Sequence, residues 1–206
     1  YCKFKEDTPM KSDRRVRYTR MVLKQALLSL MLERPITRIT VTEICERAEV
    51  NRATFYAHYA DPYDLLARIE NELFESIRRS IAGGLSSGSL RRILTDICSS
   101  IRENGALCRV IFSEYGDREF LERVLNIARV ESVALWRSIV PHAGERELER
   151  MYAFFSQGSA AVIRGWVLSG MQDAPEEIAA FLERISMGGL AQIAGNPEKS
   201  AEFLVK

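Results

Sequence analysis

Histidine is nearly missing from this chain. Only His58 and His142 occur in 206 residues, and neither stands in a metal-ligand or catalytic-triad spacing. The four cysteines, Cys2, Cys45, Cys98 and Cys108, form no C-x-x-C pair and have no histidine nearby to complete a zinc pattern. No metal or cofactor is therefore expected, and the thiols read as free groups in a reducing compartment, the cytoplasm. Strand-like alternation is hard to find, and no glycine-rich phosphate loop follows a strand. Acidic residues are plentiful but fall on ordinary charged helix faces. That leaves no constellation for an enzyme. No apolar run approaches the roughly 18 residues of a membrane span. The opening YCKFKEDTPM lacks the apolar stretch of a secretory signal. Met10 is a candidate natural start, and residues 1–12 read as a flexible arm or a non-native extension. Internal repeats and low-complexity tracts are also missing.

What is present is helical periodicity. Val22, Ala26 and Leu30, with Leu23, Leu27 and Met31, make an apolar stripe, which predicts a helix from about Asp13 to Glu33, ended by Pro35. Thr40 precedes Glu43 by three residues, the capping-box arrangement for a short second helix carrying Ile44 and Ala48 inward. Asn51 is a good N-cap for a third helix, Arg52 to His58. Asp61 caps a fourth, with Pro62 at its first position, running to about Ile81. GGLSSGS, Gly83 to Ser89, reads as a linker and domain boundary. Further helices are expected at about 90–103, 106–115, 118–139, 145–171 and 176–194, giving an all-α chain. Residues 13–82 form one domain and 83–206 a second. The tail from Asn196 is expected to fray.

The net charge of +1 conceals a division. Residues 1–60 carry 12 Lys/Arg against 7 Asp/Glu, and residues 61–206 carry 17 against 21, so +5 faces −4. A basic first part on a mildly acidic body suits a polyanion partner for that part alone.

The stretch NRATFYAHYADPYDLL, residues 51–66, suggests which polyanion. Two short helices joined by a tight turn, after a long one, make a helix-turn-helix. Phe55 and Tyr59, four apart, give its second helix a packed side. Arg52, Ala53, Thr54, Tyr56 and His58 are then free to face out. An Arg that can grip guanine in two places, small residues that allow close approach, and rings with polar tips suit a groove lined with base edges and phosphates. Arg14, Arg15 and Arg17 on the first helix, with Tyr56, are candidate phosphate contacts.

In these residues the chain resembles the tetracycline-repressor (TetR) family of transcriptional regulators. ITVTEICERAEVNRATFYAHYADPYDLL carries the resemblance within residues 14–80. FFSQGSAAVIRGWVLSGMQDAPEEIAAFL resembles the branch containing regulators of dihydroxyacetone kinase. The resemblance implies a homodimeric, ligand-responsive regulator, a repressor more than an activator, binding a palindromic double-stranded operator. Thr40 and Thr42 join the DNA contacts on that basis.

It also implies a C-terminal dimerisation and effector domain. Phe112, Tyr115, Trp136, Tyr152 and Phe155 lie on the helices that surround the family's ligand cavity. Read from the residues alone, those aromatics either line a pocket or are plain core, and Arg109, His142 and Gln157 either orient a ligand or are solvated. Gly158, Ala161 and Gly165 leave a narrow strip for a partner helix, with Trp166 beside it and Phe181 and Ile185 on the last helix. Two departures stand out. Glu49 replaces the family's usual Gly where the turn favours positive φ, at about 1 kcal/mol. Pro62 replaces a common phosphate-binding Lys. The alternative is a helical adaptor that binds a protein partner rather than DNA.

Overall fold

The computed structural model describes residues 9–87, 89–127 and 129–193, and among these it describes the backbone alone at 9–13, 85–87, 131, 135, 139 and 193. Cys2, the rest of the N-terminal arm before residue 9, and the tail from Asn196 lie outside the described residues. Among the described residues ten α-helices follow one another, and one 3-10 turn at Ile36–Arg38 precedes the second helix. They are α1 (Pro9–Met31), α2 (Val41–Ala48), α3 (Arg52–Tyr56), α4 (Pro62–Ser87), α5 (Leu90–Glu103), α6 (Gly105–Ile111), α7 (Arg118–Asn126), α8 (Arg129–Ile139), α9 (Glu145–Leu168) and α10 (Pro175–Ile193). The all-α expectation holds. None of the described helices is long and apolar enough to cross a membrane.

One core runs through most of the molecule. Leu23, Leu27 and Met31 of α1 meet Ile44 of α2, Phe55 of α3, and Leu65, Ile69 and Leu73 of α4. The same cluster continues through Cys98, Leu107, Phe120 and Trp166 in α5, α6, α7 and α9. A second cluster of Trp136, Val140, Leu148, Met151, Met187 and Leu190 ties α8 to α9 and α10. Cys45, Cys98 and Cys108 are buried free thiols, and burial pushes Cys98 and Cys108 up to about 12. At that value they are inert as nucleophiles at neutral pH.

Besides α6 and α9, which end at Ile111 and Leu168, short of the expected 115 and 171, four differences from the sequence expectation stand out. α1 begins at Pro9, so the last residues of the supposed arm are helical. α3 stops at Tyr56, two residues short of His58. The supposed linker is largely the last turn of α4, which runs to Ser87. One of its glycines has a packing reason: a Cβ on Gly84 would sit 1.9 Å from Ile93 Cγ1 on α5, whereas one on Gly83 would meet nothing within 4 Å. Close helix approach, not flexibility, accounts for Gly84. The fourth difference is the expected 118–139 helix, which divides into α7 and α8. Beside the division Ile127 N donates to Val124 O at 3.2 Å, and the Tyr152 hydroxyl donates to the Leu125 carbonyl.

Glu70 is an exception to the apolar interior. It lies on α4, 7% exposed. Burial first, and then the nearby Asp117 carboxylate, raise its pKa to about 7, with Arg123 opposing. Between the ordinary carboxylate value and 7, the folded chain holds a proton that the unfolded chain has released. The associated stability is complete at acid pH and is lost as pH rises through about 7. The window corresponds to something on the order of 2–3 kcal/mol. Glu70→Gln, neutral at every pH, is therefore expected to match the native protein near pH 5 and exceed its stability at pH 8. Urea melts at the two pH values check this; an equal difference at both would contradict it.

Candidate nucleic-acid interface

The helix-turn-helix is built from its caps. Thr40 Oγ1 accepts from Glu43 N at 3.3 Å while Glu43 Oε2 accepts from Thr40 N at 2.9 Å, a complete capping box that starts α2. Arg34 Nη2 sits 2.6 Å from Glu43 Oε1. The Thr40 hydrogen bonds first, and Arg34 after them, hold the Glu43 carboxyl below its ordinary range. α2 ends on Glu49, whose φ of 54° and ψ of 40° are left-handed. The turn thus forms with a residue that carries a Cβ, as the sequence departure requires. Buried Ile44 and Phe55, with partly buried Val50, pack across it.

Asn51 opens α3. Its Oδ1 accepts from Thr54 N at 2.7 Å and from Thr54 Oγ1 at 2.9 Å. Phe55 is fully buried, and its ring lies 5.8 Å from that of Tyr59, which is itself buried. Asp61 Oδ1 accepts from Asp64 N at 2.8 Å, and Asp64 Oδ2 accepts from Ala60 N at 3.0 Å, so α4 starts from a reciprocal cap. Pro62 is buried at the first position of α4, where no N–H is needed.

On a helix this short, burying Phe55 leaves the neighbouring positions outside. Arg52, Ala53 and Tyr56 are exposed, as are Thr42 at the start of α2 and Arg14, Arg15 and Arg17 on α1. Two expected contacts are less free. Thr54 is half-buried with its hydroxyl on the Asn51 cap, and His58 is half-buried beyond the end of α3, 6.2 Å from the Tyr59 ring. Thr40 is exposed, but its hydroxyl is engaged by the box. The outer face of α3 therefore offers one guanidinium, one methyl and one phenol.

The Trp136 ring lies 6.0 Å from that of Tyr152 and 5.7 Å from that of Phe155, so the three fill space within the second core. Tyr152 also caps α7. Phe112 and Tyr115 are half-buried at and after the end of α6. Arg109, His142 and Gln157 are exposed. Trp166, expected beside a partner helix, is 3% exposed in the single subunit, and its Nε1 donates to Asp173 O at 3.1 Å. It is core of its own chain. The other five residues of that set, Gly158, Ala161, Gly165, Phe181 and Ile185, are exposed. Phe154, overlooked in the sequence, is 70% exposed on α9. Its four-residue step to Gly158 was the available signal.

Residues 88–188 match the TetR family model described as the transcriptional regulator C-terminal region. A curated relative, the uncharacterized HTH-type transcriptional regulator YxbF of Bacillus subtilis (strain 168), is 31% identical over 64 residues, 31% of this chain. The match spans 17% of that relative's length. Among solved structures, a TetR transcriptional regulator from Streptococcus agalactiae 2603V aligns with a TM-score of 0.57 at 19% identity, over 90% of this chain and 99% of that one. The dihydroxyacetone kinase operon activator DhaS aligns at 0.52 and 16%, over 84% and 96%. The fatty acid degradation regulator FadR from Bacillus halodurans aligns at 0.55 and 13%, over 84% and 96%. At these identities the structures speak for the fold, and the fold agrees with the matched C-terminal region and the helix-turn-helix relative. The chain belongs to the TetR family of transcriptional regulators.

Proposed function

We propose that this protein is a homodimeric DNA-binding regulator, a ligand-responsive repressor that sets α3 of each subunit into a major groove of a roughly palindromic operator. The observation that carries the reading is the outer face of α3. Arg52, Ala53 and Tyr56 stand exposed on a helix fixed from behind by the buried ring of Phe55. Arg52 sits in the first turn and reads base edges; Tyr56, Arg14, Arg15 and Arg17 hold phosphates. The residues up to the end of α4 form the DNA-binding part, and the following helices form the dimerising and effector-sensing part.

The test separates the two kinds of contact. Arg52→Ala is expected to cost about 1–3 kcal/mol per half-site on the best operator and less on random duplex. Tyr56→Phe is expected to weaken both by a similar factor, because a phosphate contact carries no sequence information. Fragments selected by the purified protein supply the operator for the titration. If both variants lose specific and random binding in the same ratio, Arg52 does not read bases.

Dimerisation is supported by two apolar stripes. Phe154, Gly158, Ala161, Gly165 and Leu168 recur at steps of four and three along α9, all exposed in the single subunit. Nothing lies within 4 Å of where a Cβ would stand on Gly158 or Gly165, so a partner helix has room. Phe181, Ile185 and Gly188 repeat the arrangement on α10. Two such helices from each subunit make a four-helix interface, which sets the two α3 helices about 34–36 Å apart or at a modest expansion of that spacing. The protein is expected to sediment as a dimer at micromolar concentration. Phe154→Glu with Ile185→Glu, which places charges in that interface, is expected to give a folded monomer. A native monomer would overturn the assignment.

A further inference from the structure

Between α1, α4 and α6 runs a trough that the outer face of α3 does not share. Its inner part, a cleft of about 380 Å³, is lined by the buried side chains of Leu28, Ile69 and Leu107, with Tyr59 at one wall. An adjoining cleft of about 510 Å³ shares Arg20, Tyr59, Arg68 and Glu72 with it and extends to Glu75 and Arg79.

The charges along this trough are unevenly committed. Glu72 is paired with Lys24 at 3.4 Å, and Glu75 with Arg78 at 2.7 Å. Arg68 is held by Asp64 at 3.0 Å, with its guanidinium 5.5 Å from the centre of the Tyr59 ring. Arg20 and Arg79 form no ion pair among the described residues, and both line the outer cleft. Of the acids, only Glu103, on the inner cleft, is similarly uncommitted among the described residues. The outer end therefore presents two guanidinium groups without an ion pair among the described residues, Arg79 acting on Glu75 only from a distance, and the inner end an apolar floor.

We propose that this trough binds a small amphipathic organic acid. Its carboxylate lies at the Arg20 and Arg79 end, where guanidinium groups offer paired donors, and its apolar body rests on Leu28, Ile69 and Leu107. Such an occupant touches α1, α4 and α6 at once. It also abuts Tyr59, whose ring backs the Phe55 ring that anchors α3. Occupancy and the placement of α3 are thereby linked, and any effect on DNA affinity is matched by an equal effect of DNA on acid affinity. That regulatory consequence rests on the DNA-binding reading above, whereas the site itself does not.

The test is calorimetric titration of the intact protein, without DNA, with octanoate and with octylammonium. Octanoate is expected to bind at least about tenfold more tightly than octylammonium, and Arg20→Ala with Arg79→Ala to weaken octanoate by about tenfold or more, at an unchanged melting temperature. Arg146→Ala with Arg150→Ala, which removes the same charge from exposed positions on α9, is expected to leave octanoate binding as it was. Three results would each overturn the site: equal binding of the two probes, native affinity in the Arg20/Arg79 variant, or no octanoate binding at millimolar concentration. A second arm measures duplex affinity with and without saturating octanoate. A shift in the native protein that vanishes in the Arg20/Arg79 variant supports the coupling. An unshifted affinity overturns it. If octanoate binds as expected but the protein holds no duplex under either condition, the DNA reading fails and the site stands.

Discussion

Phe55→Ala is expected to destabilise the protein by about 3–5 kcal/mol and to remove DNA binding with it. The ring is fully buried, and it meets Tyr59 at 5.8 Å and Tyr56 at 5.6 Å. α3 has five residues, too few to be helical without tertiary support. The backbone carbonyl of the same residue accepts from His58 N and Tyr59 N, both at 2.9 Å, bonds that alanine would keep, so the loss expected is that of the ring's packing. Removing the ring leaves a cavity among α1, α2 and α4 and frees the only hydrophobic anchor within the helix. Tyr56→Ala, on the exposed side of the same turn, is expected to change stability by no more than about 0.5 kcal/mol. Denaturant melts of the two variants, with binding measured beside them, separate anchoring from contact. A stable Phe55→Ala protein that still loses DNA binding would show that Phe55 does something other than hold α3 in place.

The sequence was most readable where local chemistry decides the structure. Thr40 with Glu43, Asn51 and Asp61 each mark a helix start by a side-chain oxygen placed to accept a backbone N–H. All three bonds are present at 2.7–3.3 Å. The breaks at Asn104–Gly105 and before Pro175 are likewise set by residues that end or begin helices. Reading failed where the deciding partner is far along the chain. Gly83 and Gly84 look like a linker until Ile93 is brought against Gly84. The division between α7 and α8 has no strong local breaker, and beside it Tyr152, from another helix, donates to the Leu125 carbonyl. The aromatic set at 136, 152 and 155 stood open in the sequence between core and pocket lining. Periodicity places such rings on inward faces but cannot distinguish a filled core from an open cavity. Trp166 shows this for the interface, since a small-residue strip beside it left open whether its ring faced a partner or its own chain.

The positively charged first sixty residues lead to the largest expected effect. With three to five phosphates held per half-site, log affinity for operator is expected to fall against log salt with a slope of about −5 to −9. Between 50 and 200 mM salt that is a loss of roughly a thousandfold to a hundred-thousandfold. On the proposed reading, the cause is the release of counterions from the duplex as Arg14, Arg15, Arg17 and their counterparts in a second subunit replace them. Removing one of these arginines should lower the slope by about one for each phosphate it no longer neutralises, while leaving sequence preference intact. A protein-binding adaptor with the same fold has no such requirement, because its partner carries no condensed counterion layer.

The most direct measurement of the central claim is therefore the affinity of the intact protein for duplex DNA across this salt range, by fluorescence anisotropy on a selected operator and on random duplex. Steep, parallel declines are expected on both, with the operator bound more tightly throughout. Affinity that stays flat from 50 to 200 mM salt, or equal affinity for the two duplexes at every salt, would contradict DNA-binding regulation by this protein.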